Sequence, residues 1–227
     1  MHRIVDEERV APVTPQRRPL GSARRATRTS TASELLRQRT REAHARAEAA
    51  FDVDRRLANR ATYTDLLVRL HGYYAPMEDA LASWDAGATT PSLGMDLRSR
   101  AHLLGADLVQ LGRWGEAVPD RLSTAVGAAP LMGLPEALGR LYVLEGSALG
   151  GRLVARHARA ALGPDVPVAF FTGAGLPDLT TRWRSLQRRL DELEPQGHLD
   201  AVDRAVGAAE ESFRLFEVRL LIPVPTR

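Results

Sequence analysis

From Pro135 to Leu162 the sequence carries one long helical pattern that opens on a proline, tolerated in a first turn, and stops at Gly163-Pro164. At helical rise that span is roughly 40 Å. Its middle holds Gly146, Gly150 and Gly151, and each glycine costs about 1 kcal/mol relative to alanine in a helix interior. Something must offset that cost. Leu141, Leu144, Ala148, Ala155, Ala158 and Leu162 form one stripe, an ordinary core face. Gly139, Val143, Gly146, Gly150 and His157 form a second stripe, a shallow groove floored by backbone. Two readings of that groove stand side by side: a neighbouring helix packs into it, or a flat ligand presses on the bare main chain.

The rest of the chain reads as helix too. Of its 227 residues 44% are hydrophobic but only 5% aromatic, and no stretch alternates with period two long enough for a convincing strand. A single all-α domain, a helical bundle, is the expected fold. Cysteine is absent, which excludes disulfides, iron–sulfur clusters and thiolate ligation, so a bound metal must take His or oxygen ligands. All 31 basic residues are arginine. Up to Ala32 seven of them face Asp6, Glu7 and Glu8, a net of +4, and the remainder is −1 of the total +3. The basic character belongs to the tail, which argues against nucleic acid as a partner of the body. No apolar run reaches the roughly 20 residues needed to cross a bilayer and no signal-peptide core is present, so a cytoplasmic protein with no membrane partner is expected.

Residues 1–32, rich in Arg, Pro, Ser and Thr, read as a disordered tail, residues 33–222 as the domain and residues 223–227 as a disordered end. Ser33 is the expected N-cap of one helix over Glu34–Phe51, with Leu36, Thr40, Ala43, Ala47 and Phe51 on its inner face. His44 borders that face, and Glu48 follows one turn later, within reach of an imidazole nitrogen; His44 is either a hydrogen-bonded core residue or a metal ligand. Tyr63–Leu81 is a second amphipathic helix that Gly72 and Pro76 should bend or interrupt, and it carries His71, a rival ligand without an orienting carboxylate. Leu97 to Leu111 marks a third helix, a looser segment around Pro119–Gly133 follows with room for a short one, and Val166–Leu176 reads as a structured loop. A helix from Pro177-Asp178 turns Trp183, Leu186, Leu190 and Leu193 inward, while Arg184 and Arg188, one turn apart, form either a solvated face or an anion clamp. The last helix runs from Leu199 to about Leu221, with Phe213 and Phe216 among its inward residues. The glycine segment has neither a dinucleotide-loop spacing nor a P-loop lysine, Ser147 is in no nucleophile elbow, and no H-E-x-x-H or paired E-x-x-H occurs.

What remains is one oriented histidine and one glycine-floored helix. Leu36-Arg37-Gln38-Arg39-Thr40-Arg41-Glu42-Ala43-His44-Ala45-Arg46-Ala47-Glu48 resembles the proximal-helix signature of the haem oxygenases, in particular the bacterial enzymes associated with bacteriophytochromes. Tyr142-Val143-Leu144-Glu145-Gly146-Ser147 through Gly151 resembles their distal helix, Tyr63–Leu81 their second helical block, Phe170–Gly175 the bacterial Phe-Phe loop and Phe213–Leu220 the closing helix. One departure stands out: many members have Asp immediately after the first distal glycine, and here that residue is Ser147.

The resemblance implies a haem-oxygenase-like fold in which haem is both cofactor and substrate, opened with molecular oxygen to biliverdin, carbon monoxide and iron. It would make His44 the axial ligand of the haem iron and Glu48 its supporting partner. Gly146, Ser147 and Gly150 would serve the oxygen side, Ser147 within a proton-delivering water network, and Tyr142, Gly151, Phe213 and Phe216 would belong to the haem pocket. The propionates need arginines; Arg37, two turns before His44, is the first candidate, with Arg184 and Arg188 behind it. Without a nucleotide or flavin motif, electrons would come from a separate reductase or ferredoxin, and a phytochrome is the implied receiver of biliverdin. A non-catalytic haem carrier or sensor with the same pocket is the alternative, and a helical adaptor that binds no haem is a third reading.

Overall fold

The computed structural model describes residues 30–88, 93, 99–112, 129–176, 178–193 and 199–221. They form α1 (Ala32–Arg39), α2 (Arg41–Phe51), α3 (Val53–Arg56), α4 (Arg60–Gly87), α5 (Ala101–Gln110), α6 (Leu134–Leu162), α7 (Ala169–Thr172), α8 (Leu179–Asp191) and α9 (Leu199–Leu221), with no strand among the described residues. The expected all-α bundle is what the chain builds. The expectations for residues 1–29, for Leu97, for 113–128 and for 222–227 lie outside the described residues. Helix α6 is the spine. It packs on α9, α8, α7 and α4, while α9 also receives α1, α2 and α4. The stripe Leu141, Leu144, Ala148, Ala155 and Ala158 is buried against these neighbours, as the periodicity predicts. Within the described residues no helix is long and apolar enough to cross a membrane.

Several boundaries differ from the sequence expectation: α4 runs from Arg60 to Gly87 and not from Tyr63 to Leu81, the third helix starts at Ala101, and the short helix α7 lies within the expected loop over Val166–Leu176. Two further differences, at the first helix, have a local reason. The first helix is capped by Thr31 and not by Ser33: the Glu34 N–H donates to the Thr31 hydroxyl at 3.3 Å and the Thr31 N–H donates to the Glu34 carboxylate at 3.2 Å, a reciprocal capping box. The Ser33 N–H instead reaches across to Asp191 at 2.8 Å. The single helix expected over Glu34–Phe51 is broken at Thr40, whose hydroxyl and N–H both donate to the Leu36 carbonyl, at 2.8 and 3.0 Å. A hydroxyl that bonds back to its own helix competes with the ladder, and here the chain turns at φ −87°, ψ 2° before α2 starts. The ends of α6 fall where Pro135 and Gly163 predict, Gly163 taking φ 104° as its C-cap.

Helix α4 is continuous through Gly72 and Pro76, so of the expected bend or interruption the interruption does not occur. Pro76 has no N–H to give to the carbonyl of Gly72, four residues earlier, so that acceptor is orphaned inside the bundle. Arg219 of α9 supplies the donor: its Nη2 bonds the Gly72 oxygen at 2.6 Å. Gly72 makes room for this, since a Cβ there would lie 2.3 Å from that same nitrogen. Helix α9 is stitched at the same end by Arg69, which donates to the carbonyls of Arg219 and Leu220 at 3.1 and 3.2 Å, and by Arg56, which donates to Leu220 at 2.6 Å. Arg219→Met should therefore cost about 1–3 kcal/mol, the penalty of a buried unpaired acceptor. In a Pro76→Ala background, where residue 76 regains its N–H, that cost should fall by about 1 kcal/mol or more, as a denaturant double-mutant cycle will show.

Candidate functional site

A cavity of about 570 Å³ opens between α2, α4, α6 and α9, closed at one end by α7. That volume suits a small-molecule ligand. Helix α2 presents His44, Ala47, Glu48 and Phe51 to it, α9 adds Phe213 and Phe216, and α4 adds Leu70, Tyr73 and Tyr74. From α6 come Val143, Gly146, Ser147, Gly150, Leu153 and His157 among others, and from α7 the pair Phe170 and Phe171. Apolar walls with few polar groups define the chamber. His44 stands edge-on to Phe213, ring centroids 5.6 Å apart, with Nδ1 3.6 Å from Glu48 Oε2. That distance is too long for a hydrogen bond and short enough for the carboxylate to bias the imidazole's orientation.

The four glycines of α6 separate by task. A Cβ on Gly139 would lie 2.0 Å from the Ala205 carbonyl oxygen, and one on Gly151 would lie 2.4 Å from that of Phe171, so these two are contact points where another backbone touches the helix. A Cβ on Gly146 would meet Trp183 at 3.4 Å, an ordinary contact. At Gly150 it would meet nothing within 4 Å, and the open space is the cavity. Helix packing thus accounts for Gly139 and Gly151, and the bare wall is at Gly150.

The cavity also has a polar corner that the sequence pattern does not assemble. Tyr74 and Ser147 share a short hydrogen bond, and Ser147 Oγ donates to the Leu144 carbonyl at 2.8 Å. Arg100, 3% exposed, also lines the cavity: its Nη2 donates to the Phe170 carbonyl at 3.0 Å and its guanidinium lies 4.6 Å from the Phe170 ring centre. Behind the wall, Asp107 accepts the N–H groups of Ala169 and Phe170 at 2.9 and 3.0 Å and so fixes α7; burial raises its pKa and those two bonds oppose the rise. Glu145 and Arg182 form a buried ion pair between α6 and α8, Arg182 Nε lying 3.2 Å from Glu145 Oε2. Tyr74 carried one legible signal. Adjacent helical residues point about 100° apart, so Tyr73 and Tyr74 cannot share one core layer.

The structure brings His44, Glu48, Gly146, Ser147, Gly150, Gly151, Phe213 and Phe216 around this one cavity and leaves four other sequence candidates outside its lining. Tyr142 packs on Trp183, centroids 5.2 Å apart, and its phenol, raised by burial, has Thr40 and Arg37 as its polar neighbours. Arg37 is exposed, and the break at Thr40 undoes the helical projection that aligned it with His44. Arg184 and Arg188 border a separate surface depression with Thr31, Glu34 and Asp191. His71, the rival ligand, is not in the lining either, whereas His157 is.

The donor set suits a metal that already sits in a prosthetic group. Among the described residues no three His, Asp or Glu converge as a bare ion would need, and two imidazoles, His44 and His157, line a wide apolar slot that Gly150 also lines. A haem fits these residues. Gly151→Ala should drive a methyl into the Phe171 carbonyl and lower stability by about 1–3 kcal/mol. Gly150→Ala should fold as well as the parent or up to about 1 kcal/mol better, and thermal midpoints of the two variants make the comparison.

Comparison with known proteins points the same way. Residues 30–220 match the Heme oxygenase family model. A heme oxygenase of Xanthomonas campestris pv. campestris (strain 8004) is 37% identical over 99 residues, 43% of this chain and 53% of that protein, so the alignment spans about half of the relative. The fold is similar to that of the NO- and CO-bound heme oxygenase from Neisseria meningitidis, with a TM-score of 0.65 and 20% identity over 85% of this chain and 91% of the other. It is also similar to heme oxygenase-1 from the cyanobacterium Synechocystis in complex with heme, with a TM-score of 0.63 and 19% identity over 84% and 91%. At such identities the structural likeness speaks for the fold, and the family match over residues 30–220 for the lineage: the chain belongs to the haem oxygenase family.

Proposed function

We propose that this chain is a haem oxygenase that opens haem to biliverdin with release of carbon monoxide and iron. The observation that carries the reading is that the His44 imidazole and the bare backbone at Gly150 line one apolar cavity. When bound, haem supplies both the iron that activates oxygen and the porphyrin that is cleaved. His44 would hold the haem iron through its imidazole, with Glu48 Oε2 3.6 Å from Nδ1 biasing the ring's orientation. Phe213, Phe216, Phe170 and Phe171 keep water from the slot. Gly150 keeps the facing wall thin, leaving space for a small co-substrate. Tyr74 and Ser147 place acceptor oxygens in the same chamber, where they orient water. Electrons come from a separate reductase or ferredoxin, and a phytochrome is the proposed receiver of the biliverdin.

Mixing the purified protein with haemin and adding a reductant in air tests the reading. Conversion of the haem spectrum to that of biliverdin is expected; haem bound but left intact would make the protein a carrier. His44→Ala should abolish the native-like Soret spectrum and turnover, with partial rescue by added imidazole. His157→Ala, which alters the cavity's other histidine, should change both by less than about threefold, and His71→Ala likewise, a bound set by groups outside the coordination sphere. A His157 variant that behaves as the ligand mutant would move the assignment.

A further inference from the structure

The protons in the polar corner are already committed. Ser147 has one hydroxyl proton and gives it to the Leu144 carbonyl at 2.8 Å. The short bond between Ser147 and Tyr74 must then take its proton from the Tyr74 phenol. Both groups turn only acceptor lone pairs to the chamber, so neither offers a donor in this arrangement. Arg100 has the opposite character. Its Nη2 is bonded to the Phe170 carbonyl, while Nε and Nη1 are fully buried and have no partner among the described residues. Among the described residues Arg56, Arg182 and Arg219 also leave one guanidinium nitrogen unpaired and Arg140 leaves two, but Arg56 and Arg182 lie against carboxylates and none of the four lines the cavity. Arg100 does line it, and has no ion pair to quench its charge among the described residues.

Its position is fixed from three sides. The backbone N–H groups of Arg100 and Ala101 both donate to the Glu78 carboxylate, at 2.8 and 3.0 Å, which caps the start of α5 from α4. The guanidinium carbon lies over the Phe170 ring, 4.6 Å from its centre, and 5.8 Å from the centre of Tyr74, whose ring stands edge-on to Phe170 at 4.9 Å. The charge is felt at the phenol: burial raises the Tyr74 pKa, and Arg100 is the first influence opposing it. A buried guanidinium with no ion pair among the described residues, beside two oxygens with uncommitted lone pairs, sets a positive field over a corner where those oxygens can hold an ordered water.

We propose that Arg100 is the positioning residue of the oxygen side of the pocket, supplying the positive field there while Tyr74 and Ser147 supply acceptors. The proposal rests on the haem reading above. In the family pattern a carboxylate organises that side; in this chain, with serine at that position, a buried cation does so.

Carbon monoxide on the reduced haem complex is the probe, because a positive charge near its oxygen draws electron density into the C–O antibonding orbital and lowers the stretching frequency. Arg100→Gln, which retains a donor for Phe170 and loses the charge, should shift the C–O stretch to higher wavenumber and lower biliverdin formation by about 10²-fold, the scale of losing one preorganised electrostatic contact. Arg100→Lys should restore most of both. Tyr74→Phe keeps Arg100 and should leave the stretch near the parent's, with turnover reduced by less than about tenfold, since its lost proton was committed to Ser147. That variant carries the test even where Arg100→Gln fails to fold. The proposal falls if Arg100→Gln takes up haem with an unchanged stretch and unchanged turnover, if Arg100→Lys is as defective as Arg100→Gln, or if Tyr74→Phe alone produces the full shift. A parent protein that takes up no haem would overturn the underlying reading instead.

Discussion

Helix α6 touches its neighbours through bare backbone at two points, Gly139 on the Ala205 carbonyl and Gly151 on the Phe171 carbonyl, and the rest of the site depends on that close seating. A methyl group at either point would push α9 or α7 away by more than a methyl's own contact allows. The dispersion attraction between backbones brought so close offsets the intrinsic helix cost of these two glycines. Gly150, one residue before Gly151, touches no neighbour in this way. Its cost is uncompensated by packing, which is the sign of a residue kept for what the space beside it does.

A second constraint comes from arginine serving as the only basic residue. In this fold guanidinium groups act less as surface charges than as buried clips for carbonyls: Arg56 and Arg69 on the end of α9, Arg219 on Gly72, Arg100 on Phe170, Arg140 on Ala129 and Arg189 on Leu93. A planar fork with five N–H donors can hold a carbonyl and still stack on a ring, which an ammonium cannot do as well. Burial lowers the pKa of Arg56, Arg140 and Arg219, yet the guanidinium's ordinary value is so high that each stays charged, and carbonyl hydrogen bonds offset only part of the cost of burying it, since each leaves at least one nitrogen unpaired among the described residues.

The parts of this design that were legible in the sequence are those written in local chemistry. Pro135 and Gly163 mark both ends of α6, and the apolar spacing of α9 gives its range and inward face. The glycine stripe was visible, but its division was not, because Gly139 and Gly150 differ only in what lies across from them, Ala205 in one case and open cavity in the other. Pro76 reads as a helix breaker until the orphaned Gly72 carbonyl is matched with Arg219, 147 residues away along the chain. Thr31 as cap and Thr40 as break were both readable in principle: Thr31 stands three residues before Glu34, the capping-box spacing, and threonine is prone to bond back to its own helix. Arg100 carried no local sign at all, since its meaning lies in Phe170 and Tyr74, which other helices deliver.

The placement of the buried pair Glu145–Arg182 follows from the same softness. A helix that carries glycines at 146, 150 and 151 has little side chain to hold it against its neighbours over that stretch, and such a segment kinks readily. The ion pair acts immediately before the first of these glycines, and Trp183, next to Arg182, covers Gly146 from outside. Gly151 is held by Phe171, which Asp107 anchors through the N–H groups of Ala169 and Phe170. The wall at Gly150 is therefore held on either side, by the Glu145–Arg182 pair and Trp183 before it and by the Phe171 carbonyl after it. A buried ion pair is a poor source of net stability. As a directional tether beside a weak stretch of helix it does what an apolar contact cannot, since sliding α8 along α6 would break the pairing where a leucine would simply repack.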